Sequence, residues 1–488
     1  MPTDVDVLII GAGPAGSSAA ALLQPQGFRL LVVEKQIFPR FVIGESLLPH
    51  CMDLLQEAGL LEAVEAQGFI HKCGAVFLRG NETCNFDFAD QFTAGWKYTF
   101  QVPRADFDKT LADTVAARGV EILYGHGVTA VEFNPAFRVP PSGGTMPSRE
   151  PLTPALSPSD GEREIASPVR TDSVFGEVVR GPSGDSLSPS DGERVRVRGT
   201  SNYTVTAEGG DPNATVTLVQ PDGSKRKVTA KFILDCSGYG RVLPRLLDLE
   251  KPTSFPTREA LFTHVTGDQR PAGREGGKIW ACIHPAGAWV WIIPFSNGKT
   301  SVGVVATPEF FARYPGEPDA QLRTILMADP NVATRLGNMQ FAMPSQRISG
   351  YACAIKQLYG PHFALAGNAT EFLDPIFSSG VTLALASANR AAKVLTRHLR
   401  GEAVDWQADY ADHVMQGINT FRAYVSAWYD GTLHDIFFAA QANPGIMRQI
   451  CSVLAGYVWD KSNPYVAQPE RALPLLSQIV KAKNKTAA

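Results

Sequence analysis

The passage from Val5–Ile10 into Gly11-Ala12-Gly13-Pro14-Ala15-Gly16 constrains the fold of this chain more than any other stretch. The first six residues have the length and β-branched content of a buried parallel strand, and the glycine turn follows with no spacer. Gly11 permits the tight turn, Gly13 lets backbone approach a pyrophosphate, and Gly16 lets the next helix pack on the strand with its N-terminus toward the anion. A helical segment, Ala15–Leu23, stops at Pro25 and Gly27. A second apolar strand, Leu30–Val33, then delivers Glu34 about twenty residues after the turn, where a carboxylate can hold ribose hydroxyls. Strand, turn, helix, strand and acid in that order predict a dinucleotide-binding α/β unit. Its cofactor-binding candidates are Gly11, Gly13, Ala15, Gly16, Glu34 and the adjacent Lys35.

At 488 residues the chain exceeds what one hydrophobic core normally supports, so more than one folding unit is expected. A net charge of -3 offers no basic surplus for nucleic acid or an anionic membrane surface. Met-Pro-Thr-Asp runs into the first strand without a positive n-region, and no apolar run approaches the ~18 residues of a membrane span. The expectation is a cytoplasmic protein with no integral membrane association. The cysteines at 51, 73, 84, 236, 282, 353 and 451 form no CxxC pair, and the histidines show no HxH or HxxxH spacing. No metal site or disulfide framework is expected, so redox chemistry falls to an organic cofactor.

Two later segments point to FAD rather than NAD. Phe232–Leu234 leads into Asp235-Cys236-Ser237-Gly238, and Phe363–Ala366 leads into Gly367-Asn368-Ala369. Both resemble flavin contacts of the glutathione-reductase-like monooxygenase superfamily, which implies a nucleotide domain assembled from separated segments. That resemblance makes Asp235, Gly367 and Asn368 cofactor-binding candidates. Asn368 stands where the superfamily carries Asp, keeping hydrogen bonding but losing the charge. Arg104, in Gln-Val-Pro-Arg-Ala-Asp, resembles the superfamily's arginine at the start of a helix near the flavin. Read without the resemblance, it is a surface arginine at a helix start.

Between about residues 140 and 200 the chain is rich in Pro, Ser, Gly, Glu and Arg, and LSPSDGER occurs at Leu156–Arg163 and again at Leu187–Arg194. Such a segment buries too little apolar surface to offset its ordering entropy, so it is expected to be a disordered insertion at a hairpin tip. The predicted fold class is α/β. A first flavin-binding segment spans 1–135, the insertion 136–200, and a strand hairpin with the second flavin motif 201–254. An antiparallel-sheet substrate domain follows over 255–354, the third flavin motif with a helix over 355–401, and a C-terminal helical region over 402–488.

Four further motifs sharpen the function: Phe38–Pro49 (FPRFVIGESLLP), Lys72 in KCGAVF, Trp289–Pro294 (WVWIIP), and Asp374–Val381 (DPIFSSGV). Together they resemble the flavin-dependent halogenases, of the tryptophan, phenolic and pyrrolic kinds, within the FAD-dependent monooxygenase superfamily. The resemblance implies that FAD, supplied as FADH2 by a separate flavin reductase, activates oxygen and turns a halide ion into hypohalous acid. It makes Lys72 the catalytic residue that holds or carries that oxidant. Trp289 and Trp291, alternate on a strand, become a wall between substrate and flavin. Ser379 and Gly380 become halide-binding candidates at a helix start, and Arg40, Ser46, Pro375, Gly380 and Val381 flavin contacts. The implied substrate is an electron-rich aromatic, free or on a carrier protein. A monooxygenase hydroxylating an aromatic ring or a protein tryptophan, a geranylgeranyl-reductase-like enzyme, and a flavin-binding sensor without chemistry are the other readings.

Overall fold

In the computed structural model, which describes residues 4–134, 213–253 and 255–487, Val5–Ile10 lies in the interior of a parallel sheet. It pairs with Leu30–Glu34 on one side and with the C-terminal half of Lys225–Asp235 on the other. Phe363–Leu365 and Glu121–Tyr124 extend the sheet in opposite directions. Ile10 stands opposite Asp235, and Asp235 opposite Leu365. Parallel pairing in that register brings three motifs far apart in sequence to the carboxyl ends of neighbouring strands, where α/β sheets bind ligands.

Lys225–Asp235 is longer than the Phe232–Leu234 strand expected from the sequence. Its charged first half is exposed and pairs antiparallel with Asn213–Val219, while its apolar second half enters the parallel sheet. The alternation of Lys225, Lys227 and Thr229 hid the first half, because one side of that hairpin faces solvent. Asn213–Val219 pairs in turn with Gly127–Asn134, Asn134 opposite Asn213. The expected disorder over 136–200 falls outside the described residues.

Helices Pro14–Leu23 and Ser379–Leu399 pack on each other against this sheet. The apolar-periodic stretch after Pro49 forms two helices, His50–Glu57 and Leu61–Glu65, because Gly59 takes a left-handed conformation between them (φ 64).

The second sheet contains Glu259–Thr266, Thr300–Ala306, Ala288–Pro294 and Ile279–His284 as antiparallel neighbours. It also recruits Gly74–Arg79 and Glu82–Asp87 from the first segment of the chain, and Gly74–Arg79 pairs with Ile279–His284 in parallel. One face of this sheet, with Val76, Leu78, Leu261, Val290, Ile292, Val302 and Val304, packs on the helices Pro318–Met327 and Pro330–Leu336. C-terminal helices Asp412–Tyr429, Thr432–Phe437 and Pro444–Leu454 follow, the first two separated by Gly431 (φ 86).

Candidate active site

The glycine turn is shaped for a diphosphate. A Cβ on Gly11 (φ 98) would strike Cys236 O, and one on Gly16 would strike Gly11 O, so backbone occupies the space of both side chains. At Gly13 the nearest atom to such a Cβ is Arg40 Nη2 at 3.3 Å. Arg40 Nη1 lies 3.1 Å from Asp108 Oδ2, but neither it nor the buried Nε makes an aligned hydrogen bond. Beside an open glycine, those N–H groups suit an anionic oxygen. The Glu34 carboxylate, at the turn, accepts from Ala12 N–H and Gln36 N–H, both at 2.9 Å. Arg104 is buried rather than on the surface. It grips Asp108 through Nε (2.7 Å) and Nη2 (3.0 Å) and donates from Nη1 to the carbonyls of Ile43 and Gly44. Asp108 thus anchors both arginines, and sequence reading missed it because a single Asp inside a helix carries no signal. The Asp235 carboxylate accepts from Ser237 N–H (2.9 Å) and Leu243 N–H (2.6 Å), holding the turn that follows its strand. Ala15 is buried against Gly367, where a Cβ would come within 3.3 Å of Ala15 Cβ, while Lys35 is exposed. These residues fit FAD: bare backbone and guanidinium for the pyrophosphate, a carboxylate for the ribose.

The segment Phe38–Pro49 joins this cradle to the second sheet. Leu47 N–H donates to Phe100 O (3.1 Å) and Val102 N–H to Glu45 O (2.8 Å), which sets Ser46 opposite Gln101. Glu45 Oε1 lies 2.8 Å from His264 Nε2. Phe41 stacks on Phe262, whose ring lies 6.0 Å from that of Trp291.

Lys72 ends the strand Ile70–Lys72, paired with Thr99–Gln101, and its side chain is 1% exposed. Its Nζ donates to Leu47 O at 2.8 Å and lies 5.6 Å from the centre of the Phe88 ring. Burial lowers its pKa to about 7, the loss of water around the ammonium outweighing the opposing influence of nearby Cys51. Lys278 is equally buried, yet it has Glu275 Oε1 at 2.7 Å and Asn85 Oδ1 at 2.8 Å. The contrast separates a lysine paired with a carboxylate and an amide from one that has only a backbone carbonyl and an aromatic ring beside it.

Trp289 and Trp291 project to one side of Ala288–Pro294, ring centres 5.9 Å apart, away from the apolar core that takes Val290 and Ile292. Gly303 on the neighbouring strand makes room, since a Cβ there would collide with the Trp291 ring. Trp291 Nε1 donates to Ser301 Oγ (3.0 Å). Trp289 Nε1 donates to Tyr429 Oη (3.1 Å), and Tyr429 Oη donates to Asp374 Oδ2 (2.8 Å). Tyr351 Oη reaches the same carboxylate at 3.4 Å, and the Arg258 guanidinium lies 3.4 Å over the Tyr429 ring. Burial raises the Asp374 pKa to about 6 and pushes the Tyr429 phenol well above its ordinary range, so that phenol stays a donor. The sequence reading did not find Tyr429, Tyr351 or Arg258. They come from three separate segments and meet only in the fold.

Asp374 also accepts from Ile376 N–H (3.0 Å), bending the chain through Pro375–Phe377 to Ser378 in a left-handed conformation (φ 54). Ser379 and Gly380 then open the helix Ser379–Leu399, whose first turn has no side-chain cap. A Cβ on Gly380 would stand 3.4 Å from Phe372 Cε2 and 3.9 Å from Asn368 Oδ1, so Asn368 borders the helix start. Val381 is buried just inside it, and Thr382 Oγ1 lies 3.1 Å from Cys51 Sγ, a near neighbour of Lys72. Among the described residues no group of three or more His, Cys, Asp or Glu side chains is placed to hold a metal ion.

Fold and cradle together define an FAD-dependent oxidoreductase in which a second sheet carries an aromatic wall. The FAD binding domain family matches residues 4–136, and the tryptophan halogenase family matches residues 191–447. Because the second match spans more than half of the 488 residues, the chain belongs to the tryptophan halogenase family, the flavin-dependent halogenases. It is 28% identical over 426 residues to the flavin-dependent halogenase armH3 of Armillaria mellea, covering 84% of this chain and 70% of that protein. It is 24% identical over 481 residues to a 1H-pyrrole-2-carbonyl-(peptidyl-carrier protein) chlorinase of Pseudomonas fluorescens, covering 93% and 90%. Among solved structures, a flavoprotein/dehydrogenase from Cytophaga hutchinsonii is 42% identical with a TM-score of 0.80, covering 98% of this chain and 100% of that one. The flavin-dependent brominase Bmp2, 22% identical with a TM-score of 0.70 and 99% of each chain covered, shares the fold. No helix among the described residues is long and apolar enough to cross a membrane.

Proposed function

We propose that this protein halogenates an electron-rich aromatic ring, a phenol, pyrrole or indole, free or tethered to a carrier protein, and that Lys72 transfers the halogen. The observation that carries this reading is a lysine buried without a carboxylate partner, its pKa brought down to about 7. A surface lysine at a strand start would stay protonated and hydrated, whereas a desolvated amine is a nucleophile near neutral pH.

FAD, received as FADH2 from a separate flavin reductase, supplies the electrons that let oxygen convert halide into hypohalous acid. Everything else falls to the protein. The uncapped amides at Ser379 and Gly380 favour a halide through the helix dipole and their free N–H groups. Gly11, Gly13, Ala15, Gly16, Glu34, Lys35, Arg40, Ser46, Arg104, Asp235, Gly367, Asn368, Pro375, Gly380 and Val381 are the proposed flavin contacts, the pyrophosphate end being the best supported by geometry. Lys72 Nζ attacks the halogen of hypohalous acid: the N–X bond forms, the X–O bond breaks, and hydroxide leaves with an amine proton as water. The arene then attacks X, the N–X electrons return to nitrogen, and loss of the ring proton restores aromaticity and the amine. Trp289 and Trp291 keep the ring from the flavin, so oxygen is not transferred to it directly.

The test is turnover with a flavin reductase, oxygen and a panel of phenols, pyrroles and indoles, free and carrier-tethered, with chloride, with bromide and with neither. Products that carry halogen only when halide is present are predicted. Hydroxylated products at the same yield without halide would replace this reading with the monooxygenase.

A further inference from the structure

Lys72 reaches Leu47 O by crossing over the strand Thr99–Gln101, and what lines that crossing is a row of buried polar atoms. Lys72 stands opposite Thr99, Ile70 opposite Gln101, and Ser46 opposite Gln101 from the other side. Residues directly opposite in antiparallel pairs project to the same face, and so do residues two apart on one strand. Lys72, Thr99, Gln101 and Ser46 therefore share one face of a three-segment ribbon. The hydrogen bond from Nζ to Leu47 O, at 2.8 Å, requires the lysine chain to pass over that face.

Thr99 and Gln101 are fully buried and Ser46 nearly so. Yet Thr99 Oγ1, Gln101 Oε1 and Ser46 Oγ have no hydrogen-bond partner. Gln101 Nε2 is fixed by Gly277 O at 3.2 Å, which sets the direction of its amide. Buried polar atoms are nearly always paired, so three orphans on one face beside an amine need a partner from outside the chain. The Phe88 ring bounds the amine. The chemistry of the orphans specifies the guest: a hydroxyl that donates or accepts, an amide oxygen that accepts, and an amine bearing a lone pair. They suit a small neutral molecule with one O–H and one electrophilic atom.

We propose that Thr99 and Gln101 form a hydrogen-bonding cage that positions hypohalous acid for Lys72. In it Gln101 Oε1 accepts the O–H of the acid, the Thr99 hydroxyl donates to the acid's oxygen, and the halogen is left facing Nζ. No bond to carbon or nitrogen changes in this binding step. Thr99 and Gln101 are positioning residues for the transfer by Lys72, and the inference rests on the halogenase reading.

The test compares wild type with Thr99→Val, Thr99→Ser and Gln101→Met, each with FAD, a flavin reductase, oxygen, bromide and a phenol that the wild type brominates. Brominated product per FADH2 consumed is measured, together with hypobromous acid released into solution and trapped there. Thr99→Val, which keeps shape and loses the hydroxyl, is expected to lower the product ratio about fivefold, the scale of one neutral hydrogen bond, and to raise released hypobromous acid in step. Thr99→Ser restores the hydroxyl and is expected to restore the ratio, which a packing role for the threonine would not produce. Gln101→Met is expected to behave like Thr99→Val. The proposal is overturned if Thr99→Val and Gln101→Met keep the wild-type ratio with no added release, the mark of a face that holds only water. It is also overturned if Thr99→Ser is as impaired as Thr99→Val. A wild type that brominates no substrate defeats the halogenase reading first and the cage with it, so the two failures are told apart by the wild-type lane.

Discussion

At the scale of single residues, Lys72 shows a side chain whose burial costs stability. Its pKa is about 7 in the fold against 10.5 as the ordinary value, so between those limits the unfolded chain holds a proton that the folded chain has released. Stability therefore rises with pH across that window and is lowest, through this group, below pH 7. Lys72→Met, nearly isosteric and uncharged, is predicted to stabilise the protein at pH 6 by on the order of 2–4 kcal/mol. The gain should shrink as pH approaches 10, while halogenation is lost throughout. Denaturant unfolding at pH 6 and 9.5 checks this, and a lysine whose replacement destabilises equally at both values would be structural. The sequence made Lys72 visible through its motif neighbours, but it did not show how the surroundings of Lys72 differ from those of Lys278. Burial and the presence or absence of a carboxylate decide that difference, and both depend on long-range packing. Asp108, Thr99 and Gln101 were illegible for the same reason: each is an ordinary residue until the fold sets its surroundings.

Elements carry the next level of the argument. The strand Ala288–Pro294 was legible, and so was the sharing of one face by its indoles, because a period of two follows from strand geometry. What fixes the outer indole was not. Trp289 is tied through Tyr429 to Asp374, which joins the sheet to the turn before the helix Ser379–Leu399. Tyr429→Phe removes both hydrogen bonds while keeping the ring under Arg258. It is predicted to cost about 1–3 kcal/mol of stability, since a buried indole N–H and a carboxylate lose a partner. It is also predicted to lower halogenated product per FADH2 consumed. Product yield and unfolding midpoint are the measurements, and a variant unchanged in both would show that the Trp289 ring is held by packing alone. Lys225–Asp235 illustrates the opposite lesson, since its exposed charged half concealed a strand that only its pairing with Asn213–Val219 reveals.

For the whole molecule, the resemblance of the Asp235 and Gly367 segments to flavin contacts implied a flavin domain built from separated segments, and parallel strands can align such segments irrespective of sequence distance. It did not predict that Gly74–Arg79 and Glu82–Asp87 would join the second sheet, a pairing that depends on contacts some two hundred residues apart. Asn134 stands opposite Asn213, so the strand ends that flank the repeat-bearing segment are neighbours and a short connection can join them. Deletion of residues 140–200 with a short Gly-containing connection is predicted to leave FAD binding and the unfolding midpoint unchanged. Flavin titration and thermal melts would reveal a segment needed by the fold. The central claim is that a buried lysine with no carboxylate partner moves halogen from oxidised halide to an arene, and mass spectrometry of products tests it most directly. Wild type and Lys72→Ala are each supplied with reduced FAD, oxygen, bromide and a panel of phenols, pyrroles and indoles. Brominated product from wild type and none from Lys72→Ala, with FADH2 consumed by both, is the predicted result. Oxygenated product that forms without bromide and persists in Lys72→Ala would contradict it.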